Sequence, residues 1–124
     1  MIKNLINRLK QFYIYNTSHR KEVIRIEKQC LGYNTFLTCI HDLDKLIMAY
    51  CFIPDETISK IHRFWSWHHV NNKIGWFRLN EAIFDWESAR FTKPDKPMNA
   101  RETCLKLYPH LKEQVFKKCD QWKI

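Results

Sequence analysis

The chain has 124 residues and a formal net charge of +8, and apolar residues make up 45% of it. This length suits one domain, placed over residues 1–124, and the apolar fraction excludes a disordered chain. Two glycines and four prolines offer few tight turns, which disfavours an all-β fold. We therefore predict an all-α, single-domain bundle of five to seven helices.

The positive charge is concentrated at the two ends of the chain. Residues 1–31 hold seven Lys or Arg against two Glu, residues 101–124 hold six against three acidic residues, and residues 32–100 balance at eight each. Basic ends attract phosphate-bearing partners at long range, but a solvated surface explains them equally well. No recognisable nucleic-acid motif accompanies them, so nucleic-acid binding is not favoured.

Cysteine usage and hydropathy indicate a cytoplasmic protein. The five cysteines form no CxxC pair and lie in helical, mostly apolar segments, so we expect buried, reduced thiols. The first residues are amphipathic rather than a signal peptide, and no window approaches ~18 apolar residues, so no membrane span is expected. The cysteines are Cys30, Cys39, Cys51, Cys104 and Cys119.

Helical spacing of apolar residues predicts two helices at the start of the chain. The first covers residues 2–14 and is expected to pack on the core, with a membrane-surface helix as the alternative because its other face is basic. The second covers residues 18–31, where Thr17 or Ser18 can cap its start and Gly32 can end it.

A third predicted helix, residues 34–51, is apolar nearly all round and therefore belongs in the middle of a bundle. It nevertheless carries His41, Asp42, Asp44 and Lys45 within five residues. Burying charge without a partner costs at least several kcal/mol, which a divalent metal would offset. A buried hydrogen-bond network is the structural alternative.

The rest of the chain predicts three more helices separated by loops. In the fourth helix His62 and His69 lie on one stripe, two turns apart, and His68 lies to the side. The predicted helices are 55–69, 79–91 and 100–122, the last capped by Asn99 and bent or broken at Tyr108-Pro109, and the predicted loops are 71–78 and 92–98.

Histidines and aspartates recur along these helices in the order H…HD…H…HH…D. Imidazole and carboxylate together are ligands for Mn, Fe, Co or Zn, and a bundle can bring several helices to one point. The predicted ligands of a first ion are His19, His41, Asp42 and Asp85. Two or three histidines from His62, His68 and His69 can form a second position beside it, and the sequence leaves open which of His68 and His69 is a ligand. Asp42 would bridge the two ions.

This order resembles the signature of HD-domain metal-dependent phosphohydrolases, over roughly residues 17–92. The stretches "HDLDK", "IPDETISKIH" and "HH" are similar to binuclear members of the HD-GYP kind, and the layout with "DWESA" to small, uncharacterised HD-like proteins of bacteria and phages. No GYP segment follows the histidine pair. His62 lies only six or seven residues before His68 and His69, whereas in the HD-GYP kind the single histidine and the later pair lie on separate helices, much further apart.

The resemblance implies an HD-like all-α fold, one or two divalent ions, and hydrolysis of a nucleotide or other small phosphate ester by a metal-activated hydroxide. In that comparison the lysine after the HD pair contacts phosphate, and Lys45 occupies its place. Asp44 is expected to orient the nucleophilic water or a ligand histidine. Further cations that can reach a phosphate are Arg20, Arg63, Lys73 and Arg78.

Two other functions stay open at this point. One is an HD-type di-iron oxygenase that uses the same ligands to activate dioxygen. The other is a non-catalytic basic module that binds nucleic acid or an acidic protein, with structural histidines. The sequence leaves open the substrate, the metal and the oligomeric state.

Overall fold

The secondary structure is entirely helical in the residues that the computed structural model describes, 2–93 and 98–124. The predicted all-α bundle is therefore confirmed. The helices are α1 (Ile2–Leu31), α2 (Phe36–Cys39), α3 (Leu43–Tyr50), α4 (Asp55–Trp65), α5 (Leu79–Thr92), α6 (Ala100–Leu107) and α7 (Lys112–Trp122), with a 3₁₀ turn at Pro109–Leu111.

Helix α1 is one continuous helix, so the predicted division between residues 14 and 18 is wrong. No glycine or proline interrupts it, and the predicted caps Thr17 and Ser18 both lie inside the helix, so neither begins a new one. Gly32 ends the helix as predicted, with φ +82°. The apolar side of its first half is only partly packed, since Leu5, Leu9 and Phe12 are half-buried, whereas Ile2 and Ile6 are 75% and 58% exposed.

The predicted central helix 34–51 is instead two short helices, α2 and α3, joined by a turn at residues 40–42. Asp42 stands in the left-handed conformation, φ 58°, which a continuous helix does not allow. Several apolar residues of this segment are exposed, including Phe36 at 75% and Ile47 at 58%. The segment therefore lies at the side of the bundle.

Helix α5 is the central helix, and its residues from Glu81 to Ala89 are buried except for half-buried Asp85. It packs on α1 through Phe84 and on α6 and α7 through Ala82, Ile83 and Trp86. Helices α3 and α4 pack on each other, and α3 also packs on α1. This arrangement places α1, the turn before α3, α4 and α5 around one region.

The helix predicted over 55–69 ends earlier, at Trp65. Ser66 is extended, with φ −72° and ψ 129°, and the chain turns back through residues 67–71. His68 and His69 therefore lie in a turn after the helix and do not share a stripe with His62. The loop predicted at 71–78 is confirmed as non-helical.

The end of the chain folds as its sequence predicts. Asn99 caps α6 by accepting from the Glu102 N–H at 2.9 Å, and the helix breaks at Tyr108-Pro109. Residues 94–97 of the predicted 92–98 loop lie outside the described residues.

The cysteines are all free, but only Cys104 and Cys119 are buried. Cys39 and Cys51 are exposed, so the prediction of buried thiols is wrong for both. Both cysteines lie in the segment 34–51, which was predicted to lie at the centre of the bundle and lies at its side. Across the described residues, no helix combines the length and the apolar character that a membrane crossing requires.

Candidate metal centre

Four of the predicted ligands meet between α1, the turn before α3, and α5. Nε2 of His19 lies 2.8 Å from Oδ1 of Asp85 and 3.2 Å from Nε2 of His41. Nε2 of His41 lies 3.1 Å from the same Asp85 oxygen. Oδ2 of Asp42 stands 3.5 and 3.6 Å from these two nitrogens. We call these four residues the first ligand group.

Three more histidines meet on the other side of Asp42. Nε2 of His62 and Nε2 of His68 are 3.1 Å apart, and they lie 3.0 and 3.1 Å from Oδ1 of Asp42. His69 completes the set, with ligand atoms within 4.8 Å of those of His62 and His68. We call His62, His68 and His69 the second ligand group.

Asp42 therefore stands between the groups, with one carboxylate oxygen facing each. Its left-handed backbone turns the side chain away from the path of a helix, and Asn16 holds its carbonyl from α1. Aspartate adopts this conformation more readily than most residues. The residue is only 7% exposed.

Hydrogen bonds fix the Nδ1 atoms of four of these histidines, which leaves each Nε2 facing inward. His62 donates to Oδ2 of Asp44 at 2.7 Å. The Ser88 hydroxyl donates to the carbonyl of Asp85, so it accepts from Nδ1 of His19 at 3.2 Å. Such outer partners are typical of metal-binding histidines because they set the tautomer and the ring orientation.

The other two Nδ1 atoms share one carboxylate. Oε2 of Glu81 accepts from His41 at 2.9 Å and from His68 at 3.0 Å, and His68 also contacts the hydroxyl of Ser66 at 2.8 Å. Trp67 and Arg78 donate to Oε1 of Glu81. Glu81 is 1% exposed, and it links the first ligand group to the second.

These contacts shift the acid–base behaviour of the cluster. Burial lowers the pKa of His41, but Asp42, Asp85 and Glu81 outweigh it and raise the pKa to about 10. Burial raises the pKa of Glu81, but its hydrogen bonds from His41 and His68 outweigh this and lower the pKa to about 2. The pKa of Asp42 and that of Asp85 lie well below the usual value, since their histidine partners likewise outweigh burial. The carboxylates are therefore ionised at neutral pH.

Two polar atoms of the cluster are buried without a hydrogen bond in the described part of the chain. One is Nε2 of His69, and the other is Oδ1 of Asp42, whose contacts with Nε2 of His62 and Nε2 of His68 at 3.0 and 3.1 Å lack hydrogen-bond geometry. Burial, followed by repulsion from His68 and His62, lowers the pKa of His69 to about 3, so this imidazole is neutral. An ionised oxygen and a neutral nitrogen without partners cost free energy unless a cation binds them. The residues therefore fit a metal ion, and their type and spacing could hold one.

A polar pocket of about 130 Å³ opens onto both ligand groups. Lys45, Arg63 and Lys93 line it together with Tyr15 and Ser59. A larger pocket of about 520 Å³ shares Arg63, His69, Asp85 and Lys93 with it. A small anion can therefore reach the ligand atoms from a cationic mouth, and a larger group attached to that anion has space next to it.

The predicted substrate-binding cations divide into two sets. Lys45 and Arg63 line the polar pocket, and Nζ of Lys45 lies 3.5 Å from Oδ2 of Asp42. Arg20 instead donates to Asn16 at 2.6 Å and to the carbonyl of His41 at 3.4 Å, and it does not line this pocket. Lys73 lies in the exposed loop after α4, away from the pocket lining.

Arg78, the fifth cation that was expected to reach a phosphate, donates to Glu81. The guanidinium of Arg78 therefore binds a carboxylate inside the site.

Glu81, Ser66, Ser88 and Lys93 belong to the site and were not predicted from the sequence. A signal for Glu81 was available, because it lies four residues before Asp85 on one face of α5. Ser88 lies three residues after Asp85 and had the same signal. Ser66 and Lys93 had none, since a turn and a helix end position them.

Comparison with known proteins gave no match to any protein-family profile, curated protein or solved structure.

Proposed function

We propose that this protein is an HD-type phosphohydrolase that holds two divalent ions and acts on a small phosphate ester, with a nucleotide as the leading candidate. The carrying observation is the position of Asp42, whose two buried oxygens each face a separate set of imidazole nitrogens. A carboxylate that faces two ligand sets can hold two ions close together, and closely spaced ion pairs are what two-metal hydrolysis uses.

The chemistry of the ligands narrows the choice of metal. Each set mixes imidazole nitrogen with carboxylate oxygen and contains no thiolate, which suits Mn, Fe, Co or Zn better than Mg or Ca. In the first ligand group two carboxylates, Asp42 and Asp85, accompany two histidines, His19 and His41. The second group is richer in nitrogen, with Asp42 Oδ1 as its nearest carboxylate oxygen.

Divalent ions in such a site would polarise a phosphoryl group and acidify water near neutral pH. The protein's own residues then have three tasks. Lys45, Arg63 and Lys93 attract and orient the phosphate at the pocket mouth. Asp44 and Glu81 keep the imidazoles oriented. The larger neighbouring pocket receives the rest of the substrate.

The test compares the wild-type protein with the variant Asp42→Asn. Asparagine is preferred to alanine because it tolerates the left-handed backbone and keeps the shape of the side chain. Protein purified without chelator should contain about two transition-metal ions per chain and release phosphate from nucleotides or aryl phosphates. Asp42→Asn should retain helical circular dichroism but lose bound metal and at least 100-fold of the activity.

Asp120→Asn is the matched control, because Asp120 is exposed and pairs with Arg101 in α6, outside both ligand groups. It should keep metal and activity. Full phosphate release by Asp42→Asn, or a wild-type protein that binds no transition metal, would refute the proposal. Turnover that requires both iron and dioxygen, without phosphate release, would instead identify the oxygenase that shares this ligand set.

A further inference from the structure

We infer that Glu81 is a positioning residue shared by both ligand groups, and that it causes the two ions to load together. This inference rests on the proposed two-ion site. Its basis is that a single oxygen, Oε2 of Glu81, accepts from His41 in the first group and from His68 in the second, at 2.9 and 3.0 Å.

The environment of Glu81 shows that this oxygen is held in place. The residue is 1% exposed, and its second oxygen accepts from Trp67 at 3.1 Å and from Arg78. Three elements therefore converge on it: the turn before α3, the turn after α4, and α5 itself.

The other outer partners act on one side only. Oδ2 of Asp44 reaches Nδ1 of His62 in the second group at 2.7 Å, and the hydroxyl of Ser88 reaches Nδ1 of His19 in the first at 3.2 Å. Neither makes a hydrogen bond to a histidine of the opposite group. This difference provides matched controls within the same site.

The shared oxygen makes the ordering of one group help the ordering of the other. An ion that fixes the His41 ring also fixes Oε2 of Glu81, and that oxygen then fixes the His68 ring. The second ion therefore binds to histidines that are already ordered and does not bear the entropy cost of ordering them. This is positive coupling between the two ions. Asp42, which faces both groups, reduces the repulsion between the two ions.

The experiment titrates the metal-stripped full chain with Co²⁺ and follows both native mass spectra and the visible absorption of the bound ion. Wild-type protein should pass from the metal-free to the two-ion form. The population of the one-ion form should stay below its statistical share, which is the population that two independent sites would give. Glu81→Gln should weaken both ions, each by about 10- to 100-fold, and should alter the absorption of both.

The one-sided controls should behave differently. Asp44→Asn should weaken one ion and leave the other at wild-type affinity, and Ser88→Ala should do the same for the opposite ion. Because Gln at a buried position can prevent folding, Arg78→Met is the second variant. It removes a donor to the other Glu81 oxygen, touches no imidazole, and should weaken both ions to a smaller extent.

Two results would overturn the inference. One is a wild-type titration in which the one-ion form reaches its statistical share. The other is a loss at only one ion in Glu81→Gln or, if that variant does not fold, in Arg78→Met. In both cases two ions still bind, so the proposed hydrolase stands. Coupled loading of two ions without phosphate release from any ester would support the inference and refute the proposed function.

Discussion

At His41, a proton and a metal ion compete for the same imidazole nitrogen. Its ring is fully buried next to three carboxylates, which raise its pKa to about 10 despite burial. Without a cation, the imidazole therefore keeps a proton at neutral pH and lowers the cost of burying Asp42 and Asp85. A metal ion that uses Nε2 must displace this proton.

This competition gives a prediction with a definite sign. A proton on Nε2 blocks that atom, so ion affinity should rise as the pH is raised from 6 to 8, and binding should release protons into the solution. Calorimetric titration of Mn²⁺ in two buffers of different ionisation enthalpy measures the number released. Equal heats in both buffers, or an affinity that falls over this range, would contradict the assignment of His41 as a ligand.

Arg63 and Lys73 make a second residue-scale prediction, because both are exposed cations that sequence reasoning assigned to phosphate. Only Arg63 lines the polar pocket. A hydrogen bond to a charged group contributes about 1.5–3 kcal/mol, so Arg63→Ala should raise KM for a phosphate ester at least about tenfold with little change in kcat. Lys73→Ala should leave both constants unchanged, and equal effects of the two substitutions would refute this division.

At the scale of elements, two turns rather than helix faces deliver most of the ligands. Periodicity predicted α5 and the broken terminal helix well, because their apolar spacing and caps are local signals. It failed at residues 34–51 and 55–69, where it extended helices through His41-Asp42 and through His68-His69. Contacts from distant elements, such as Asn16 to the Asp42 carbonyl, decide these turns, and a single sequence does not display them.

The turn after α4 makes an element-scale prediction through Asn72. Its amide donates to the carbonyls of His69 at 2.8 Å and Trp76 at 3.3 Å, and its oxygen accepts from Gly75 N–H at 2.8 Å. Asn72→Ala should cost about 1–2 kcal/mol of unfolding free energy and weaken one of the two ions. Denaturant unfolding and Co²⁺ titration measure the two effects.

Asn71→Ala is the neighbouring control, since Asn71 is exposed and makes no side-chain hydrogen bond in the described structure. An Asn72→Ala protein with unchanged ion affinity would show that the turn holds His69 without this side chain.

At the scale of the whole molecule, the apolar core and the polar site occupy different parts of the bundle. The larger core cluster joins α5 to α6 and α7, whereas the ligand groups join α5 to α1, α3 and α4. The sequence could indicate which residues carry the chemistry, because imidazole and carboxylate are rare inside helical cores. It could not indicate that α5 is the wall shared by the core and the site, since contacts between distant segments decide which helices pack on α5. The half of the molecule that contains the ligand groups lacks the larger core cluster, so its stability depends most on its charged groups.

This dependence predicts that removing metal destabilises the protein. An ion that binds only the folded state, at 100 times its Kd, adds ~2.7 kcal/mol, and 1 kcal/mol shifts the Tm of a domain of this size by roughly 4 °C. Dialysis against a chelator should therefore lower the Tm by about 10 °C for each ion removed, and added Mn²⁺ should restore it. Asp42→Asn should melt at the same temperature with or without chelator, because it lacks the bridging carboxylate. An unchanged wild-type Tm would mean that the buried imidazoles and carboxylates stabilise one another without a cation.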